Sequence, residues 1–295
     1  MEYENSFQQA SKLNYDCLIF DIDDTLYPLS SGLSAQVTKN IQDYMLQKLG
    51  IEEEKVPEIC LSLYKQYGTT MAGLRATGYK FDYDDFHGYN FSPISFPLSV
   101  FYTKLISSYS FLFYSFVHGR LPYEMLKPDP VLRSLLLSLP VRKVIFTNAD
   151  KNHAAKVLHR LGLQDCFEGI ISFETLNSTN KSTVAGDKDS SSFGGLSPVV
   201  CKPSADAFER VFEIANINPQ RTLFFDDSIR NIQTGKHMGL HTVLVGTSHR
   251  TKGADYALES IHNIREALPE LWEAIEKSEK IDYSGKIVIE TSVTA

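Results

Sequence analysis

Residues 15–25 read YDCLIFDIDDT, a short apolar run that ends in carboxylates and a hydroxyl. The apolar residues Cys17 to Phe20 are continuous, and Asp21, Asp23 and Asp24 follow directly. Continuous apolar runs of this length are typical of strands that are covered on both faces in a parallel sheet. Ligands of such sheets bind outside the carboxyl ends of the strands. The stretch therefore predicts an α/β fold and also the place of its site.

Four further apolar runs resemble this first one. They lie at 142–148, 169–173, 221–226 and 241–245, and amphipathic helices are predicted at 150–161, 204–215 and 228–238. Strands that alternate with helices indicate a doubly wound parallel sheet.

The segment 32–122 breaks this alternation. Apolar residues step by four from Leu33 to Leu49, and a second helical pattern runs from Val56 to Tyr67. Each pattern stops at a glycine, Gly50 and Gly68, as helices commonly do. We therefore predict a helical cap at 32–122, inserted after the first strand of a core formed by 15–31 and 123–265. The rest is predicted as an N-terminal extension (1–14), a flexible loop (177–198) and a tail (281–295).

Composition limits the class of protein. The 295 residues carry a formal charge of −7, 43% are hydrophobic, and no basic start followed by an apolar run opens the chain. These values are ordinary for a soluble globular protein, and the acidity disfavours nucleic acid as a partner. The four cysteines show no CxxC spacing. We expect a cytoplasmic location, with the nucleus as an alternative, and the oligomeric state stays open.

Polar residues stand where three of the predicted strands end. Asp21 and Asp23 follow the first, Thr147 and Asn148 the second, and Asp226 with Asp227 the fourth, while Lys202 precedes a helix. Carboxylates brought together repel one another unless a cation lies between them. A divalent ion with oxygen ligands, most simply Mg²⁺, meets this need, and beside a lysine and a hydroxyl it suits a phosphate group.

In this order, DxDxT, TN, KP and DDS resemble the motifs of the haloacid dehalogenase-like (HAD) hydrolase superfamily. The resemblance implies a Rossmann-like α/β core and a phosphorylated aspartate intermediate. It makes Asp21 the nucleophile and Asp23 the general acid and base. It also implies that Thr147 and Asn148 hold phosphate oxygens and that Lys202 neutralises charge.

The same resemblance implies the metal ligands. Asp21 would bind Mg²⁺ by its side chain and Asp23 by its backbone carbonyl, with Asp227 the more direct ligand of the DDS pair and Asp226 beside it. A second carboxylate at Asp23 favours phosphate-ester hydrolysis, because the dehalogenases of this superfamily release halide and need no acid there.

Longer strings, FDIDDTLYPLSSGL, VHGRLPY, LKPDP and FFDDSIRNI, resemble the eukaryotic pyrimidine 5′-nucleotidase branch. That implies a nucleoside monophosphate, uridylate or cytidylate, as substrate, and Tyr27 and Arg120 as candidates for substrate selection. Two alternatives stay open: a phosphatase of another small metabolite such as a sugar phosphate, and a catalytically impaired splice form that acts as an interaction protein.

The segment 90–116 stands apart in composition. Nine of its 27 residues are Phe or Tyr, seven are Ser, and Lys104 is its one charge. Its prolines and serines disfavour a membrane span. Our hypothesis is an intron retained in frame, which sequencing of transcripts across this position would refute if every mature message carried it; a genuine cap elaboration is the alternative. Five histidines without metal-ligand spacing are expected to have surface or packing roles: His87, His118, His153, His237 and His241.

Overall fold

The computed structural model describes residues 15–87, 116–178 and 198–272. Its centre is a six-stranded parallel sheet in the order β3-β2-β1-β4-β5-β6. The strands are β1 (Cys17–Phe20), β2 (Arg142–Phe146), β3 (Gly169–Ile171), β4 (Thr222–Asp226), β5 (His241–Val245) and β6 (Tyr256–Leu258). The predicted doubly wound α/β fold is confirmed; β6 was not predicted, because its three residues stand between the charged Asp255 and Glu259 and form no longer apolar run.

The register of the sheet brings three strand ends to one level. Cys17 of β1 lies opposite Arg142 of β2 and also opposite Thr222 of β4. Beyond β1, the amide of Asp21 still donates to the carbonyl of Phe225 at 2.9 Å. The polar residues that follow β1, β2 and β4 therefore lie side by side.

Helices cover both faces of the sheet. One face packs on α5 (Pro130–Ser138), α6 (Lys151–Leu161) and α10 (Ile264–Ala267), the other on α7 (Phe173–Asn177), α8 (Ala205–Ile214) and α9 (Ile229–His237). Along β1, Leu18 and Phe20 enter the first core, and Cys17 and Ile19 enter the second. This alternation explains why the strand is apolar throughout.

Four of the described helices lie between β1 and α5. They are α1 (Leu33–Gln47), α2 (Val56–Tyr67), α3 (Thr70–Ala76) and α4 (Tyr83–His87), and they share a third core that includes Tyr44, Leu63 and Phe86. Short 3-10 turns occur at Leu29–Ser31, Glu53–Lys55, Tyr123–Met125, Pro219–Arg221, Ile261–Asn263 and Pro269–Leu271. The cap at 32–122 remains our proposal for the division of the chain, supported by this separate core.

Several predictions concern residues outside the three described ranges. The N-terminal extension, the tail, all but one residue of the aromatic segment 90–116 and most of the loop 177–198 lie outside the described residues. Within 15–87, 116–178 and 198–272, none of the helices has the length and apolarity that crossing a membrane requires.

Candidate active site

Lys202 is the buried cation at the level of the strand ends. Its Nζ donates to Asp21 Oδ1 at 2.8 Å, to Asp226 Oδ2 at 2.7 Å and to the carbonyl of Phe146 at 2.8 Å. The side chain is 1% exposed, so all three of its N–H donors are spent on these oxygens. Lys202 thereby joins the ends of β1, β2 and β4 at one point.

Asp226 is buried and fully bonded. Its Oδ1 accepts from the amide of Ser228 at 2.9 Å and from Asn231 Nδ2 at 2.9 Å, and its Oδ2 accepts from Asn231 at 3.1 Å as well as from Lys202. Each oxygen thus already has two donors. Asp226 is therefore suited to holding Lys202 and the turn before α9, and Asp227 is the freer member of the pair to bind an ion.

One oxygen each from Asp21, Asp226 and Asp227 lies within 4.8 Å of the other two. Burial raises the pKa of Asp21 to about 7, with Lys202 opposing and Asp226 adding to the rise. Asp227 is exposed at the cavity wall, and desolvation by the surrounding cleft, followed by the charges of Asp226 and Asp21, raises its pKa to about 8. One lysine for three carboxylates leaves an excess of negative charge, which fits a divalent ion with oxygen ligands. When bound there, Mg²⁺ would neutralise that excess and the charge of a phosphate group.

The raised pKa values predict how stability depends on pH and Mg²⁺. Because the folded protein holds these protons above the ordinary carboxyl pKa of 3.8, the metal-free protein should lose stability as pH rises from about 4 to about 8. Mg²⁺ should therefore raise the melting temperature more at pH 8 than at pH 5.5, as read by thermal unfolding in EDTA and in Mg²⁺. Asp227→Asn should flatten that difference, and an equal Mg²⁺ effect at both pH values would contradict the assignment.

Asp23 has different neighbours from the other carboxylates. Its Oδ1 lies 2.5 Å from the Tyr27 hydroxyl and 2.7 Å from His153 Nε2. Burial alone would raise the pKa of Asp23, but the charge of His153 and the hydrogen bonds from His153 and Tyr27 outweigh it and lower the pKa to about 2. The Oδ2 atom is left to face a ligand.

The hydrogen-bond network indicates that His153 is cationic. The Tyr123 hydroxyl donates to the carbonyl of His118 at 3.1 Å, so at 2.9 Å it accepts from His153 Nδ1. With Nδ1 and Nε2 both donating, the ring is an imidazolium paired with Asp23. Burial lowers the pKa of His153, but Asp23 and Asp150 outweigh it and raise the pKa overall.

Thr147 and Asn148 lie at the end of β2 beside Lys202. Both ends of the Asn148 amide are bonded to the Lys202 backbone, Nδ2 to its carbonyl at 3.0 Å and Oδ1 to its amide at 2.8 Å. The Asn148 side chain therefore holds in place the loop that carries Lys202 and Pro203 (the lysine loop). The backbone amide of Asn148 is what remains for a phosphate oxygen. Thr147 is buried, and its Oγ1 accepts from the amide of Ala149 at 3.0 Å.

A cavity of about 670 Å³ opens above these residues, between the sheet and the α1–α3 helices. Its walls include Asp21, Asp23, Thr147, Asn148, Lys202 and Asp227 from the core and Val37, Ile41, Gln42, Leu61, Tyr64 and Met71 from the helices. The carboxylates, Lys202 and the helix residues thus line one common space.

The two predicted selection residues lie outside this cavity. Tyr27 is 4% exposed, packs in the first core and bonds Asp23 through its hydroxyl. Arg120 is exposed, with its guanidinium 4.0 Å from the ring centre of Phe116. Among the described residues Tyr27 bonds Asp23 and Arg120 lies over a ring of the third core, so their part in substrate selection stays a prediction.

Gly68 is the point where the end of α2 meets the lysine loop. A Cβ at this position would lie 2.4 Å from the Lys202 carbonyl oxygen and 2.5 Å from Pro203 Cδ, and φ is +87°. Gly50 has a similar φ of +66° with nothing within 4 Å of its Cβ position. Gly68→Ala therefore tests the contact, with Gly50→Ala as a control for backbone strain alone.

We expect Gly68→Ala to destabilise the protein by about 1–3 kcal/mol more than Gly50→Ala, because overpacking adds to the strain that the two share. Urea unfolding measures this difference. Equal losses in the two variants would show that α2 and the lysine loop do not touch in solution.

The expectation of surface or packing roles is wrong for His153 and His118, which bond carboxylates, while His87 is buried beside them and packs against Phe173. His153 bonds Asp23, and His118 and His87 gather around Asp150, the residue that caps α6. The spacing of the histidines in the sequence did not reveal this cluster, because His87 and His118 lie on different segments and meet Asp150 only in the folded chain. The one local signal was the position of His153 in the first turn after the TN motif.

A protein-family model described as haloacid dehalogenase-like hydrolase matches residues 15–239. Phosphate metabolism protein 8 of Saccharomyces cerevisiae is 25% identical over 251 residues, which are 82% of this chain and 64% of the yeast protein. The chain thus spans just under two thirds of that curated relative. Among solved structures, CbbY from Rhodobacter sphaeroides in complex with phosphate is 16% identical with a TM-score of 0.48, over 87% of this chain and 99% of CbbY. A HAD phosphatase from Thermococcus onnurineus is 17% identical with a TM-score of 0.46, over 85% and 96% of the two chains.

Proposed function

Because the chain belongs to the haloacid dehalogenase-like hydrolase family, we propose that it is a Mg²⁺-dependent phosphatase that hydrolyses the 5′-phosphate of pyrimidine nucleosides. The observation that carries the phosphatase chemistry is the pair of carboxylates after β1. Asp21 is held by the Lys202 cation, whose charge favours the ionised carboxylate, and Asp23 is held by His153 and Tyr27, so the two have separate partners. Carboxylates placed in different environments are suited to different tasks.

In the proposed reaction, an Asp21 carboxylate oxygen attacks phosphorus and the bond to the leaving oxygen breaks. Asp23 passes that oxygen a proton drawn from the His153 imidazolium with which it is paired, so the products of this step are a nucleoside and an aspartyl phosphate. Asp23, now beside a neutral His153, takes a proton from the water that attacks phosphorus and returns it to His153, while phosphate leaves and Asp21 is freed. Lys202 stays beside Asp21 throughout and offsets the charge that the phosphoryl group brings.

The cavity supports a nucleotide as the substrate. Its volume of about 670 Å³ is within the range that small-molecule sites occupy, and Val37, Ile41 and Leu61 give it apolar walls away from the carboxylates. Such walls suit the flat face of a base, and Gln42 among them offers a hydrogen-bond donor and an acceptor. A sugar phosphate would leave more of this apolar surface uncovered.

A panel of phosphate esters tests the proposed substrate. The full chain with Mg²⁺ should release phosphate from uridylate and cytidylate with a kcat/KM above that for purine nucleotides and for sugar phosphates. A preference for a sugar phosphate would keep the chemistry and overturn the substrate. Absence of release from every ester would favour an interaction protein instead.

The role of Asp23 predicts a dependence on the leaving group. Asp23→Asn should slow the first turnover of uridylate by about 10²–10⁴-fold, because its ribose oxygen needs a proton to leave. p-Nitrophenolate leaves without one, so p-nitrophenyl phosphate should still give a rapid burst of about one equivalent, followed by slow hydrolysis of the phosphoenzyme. Rapid-mixing measurements distinguish the two, and an equal slowing of both first turnovers would refute the role of Asp23 as the acid.

A further inference from the structure

His87, His118 and Asp150 form a cluster beside the catalytic pair but separate from it. Asp150 Oδ2 lies 3.7 Å from His87 Nδ1 and forms a close contact with His118 Nδ1, and one ligand atom from each residue lies within 4.8 Å of the other two. Asp150 Oδ1 is already occupied, since it accepts from the amides of Asn152 and His153 at 2.9 Å. The free oxygen of Asp150 is therefore the one that both histidines approach.

His87 is the residue in this cluster whose polar atoms lack partners. It is 6% exposed, and neither Nδ1 nor Nε2 has a hydrogen-bond partner among the described residues. A buried polar group without a partner is unfavourable, so a ligand that bonds His87 would relieve this cost. Both His87 and His118 line the large cavity, so a small ligand can reach them from there.

The charges of the cluster decide the kind of ligand. Burial lowers the pKa of His87 to about 3, and the neighbouring His118 lowers it further than Asp150 can offset, so the ring is neutral. Burial raises the pKa of Asp150, but the hydrogen bond and the charge of His118 outweigh it, so the carboxylate is ionised. An ionised carboxylate repels a phosphate group, whereas neutral imidazole and carboxylate are the forms that bind a cation.

We propose that His87, His118 and Asp150 bind a divalent transition-metal ion of the Zn²⁺ class, at a site distinct from the carboxylate cluster of Asp21 and Asp227. Imidazole ligands select Zn²⁺, Co²⁺ or Ni²⁺ over Mg²⁺, which prefers oxygen. Three protein ligands leave one coordination position open toward the cavity. Binding replaces the contact between His118 and Asp150, and the proton shared there leaves to solvent.

Co²⁺ is the probe that distinguishes the two metal sites. Added to the Mg²⁺-saturated full chain, one equivalent should give the intense visible absorption of a four-coordinate site with nitrogen ligands, whereas Co²⁺ among oxygen ligands absorbs weakly. His87→Ala and His118→Ala should each lose the band. Asp227→Asn and His241→Ala, the latter a histidine on β5 outside the cluster, should both keep it.

Circular dichroism and thermal unfolding check that each variant is folded, and His87→Gln provides a near-isosteric second variant. Zn²⁺ should also raise the melting temperature of the unaltered chain in excess Mg²⁺, and this shift should vanish in His87→Gln. The proposal is overturned if no band and no shift occur, if the band survives both histidine variants, or if Asp227→Asn removes it. Because these readouts do not involve hydrolysis, their failure leaves the phosphatase proposal standing.

Discussion

Asp21→Asn is expected to reduce the release of phosphate from every ester by roughly 10⁴-fold or more, because the amide oxygen is a poor nucleophile and forms no aspartyl phosphate. The substitution preserves the size of the side chain, and Lys202 keeps Asp226 and the carbonyl of Phe146 as acceptors. The buried charge of Asp21 also disappears, so the variant should fold at least as well as the unaltered chain at pH 8. Phosphate release and urea unfolding on the same preparation measure both effects.

Asp206→Asn is the matched control for Asp21→Asn. Asp206 is exposed in the first turn of α8 and outside the walls of the cavity. Its loss should leave turnover unchanged within about twofold, since a surface substitution away from the site typically costs less than about 0.5 kcal/mol. If phosphate release persists unchanged in Asp21→Asn, the aspartyl-phosphate mechanism is wrong for this chain.

Lys202→Met is expected to have the largest effect on stability. The methionine fills the space of the aliphatic stem but removes the cation that lies between Asp21 and Asp226. Breaking a buried ion pair by removing one partner costs about 3–5 kcal/mol, because it leaves uncompensated charge. The loss of stability should be greater in EDTA than in Mg²⁺. Turnover should also fall, since the charge of the phosphoryl group is no longer offset.

Lys236→Met is the control for the loss of a lysine. Lys236 Nζ also lies near two carboxylate oxygens, those of Asp255 at 2.7 and 2.9 Å, but its side chain is 45% exposed. Exposed pairs contribute about 0–1 kcal/mol, so urea unfolding should separate the two variants by several kcal/mol. Similar losses in both would mean that Lys202 is hydrated in solution and does not hold the strand ends together.

The clustering of the carboxylates was predictable because they lie at the ends of neighbouring strands in a parallel sheet. Asp21 comes directly after β1, and Asp226 ends β4. Once the apolar runs are assigned to neighbouring strands, the geometry of the sheet brings their carboxyl ends to one edge. No side-chain direction had to be known for that prediction.

The residues that line the cavity opposite the carboxylates were not predictable in the same way. Tyr27 lies close to the catalytic turn in sequence, yet its side chain enters the core and bonds Asp23, while the cavity is lined by α1–α3 residues such as Ile41 and Leu61. After the regular strand ends, the direction in which a side chain points depends on the turn and on the packing around it.

By itself, the sequence determined the parallel sheet, the helical insertion after β1 and the group of Asp21, Asp23, Lys202 and Asp227, because a strand of a doubly wound sheet is marked by a local apolar pattern. Only the tertiary structure decided that His153 holds Asp23 and that His87 and His118 meet at Asp150. These contacts join residues 32 to 130 positions apart. They depend on how side chains pack between elements, and periodicity along one element carries no information about that packing.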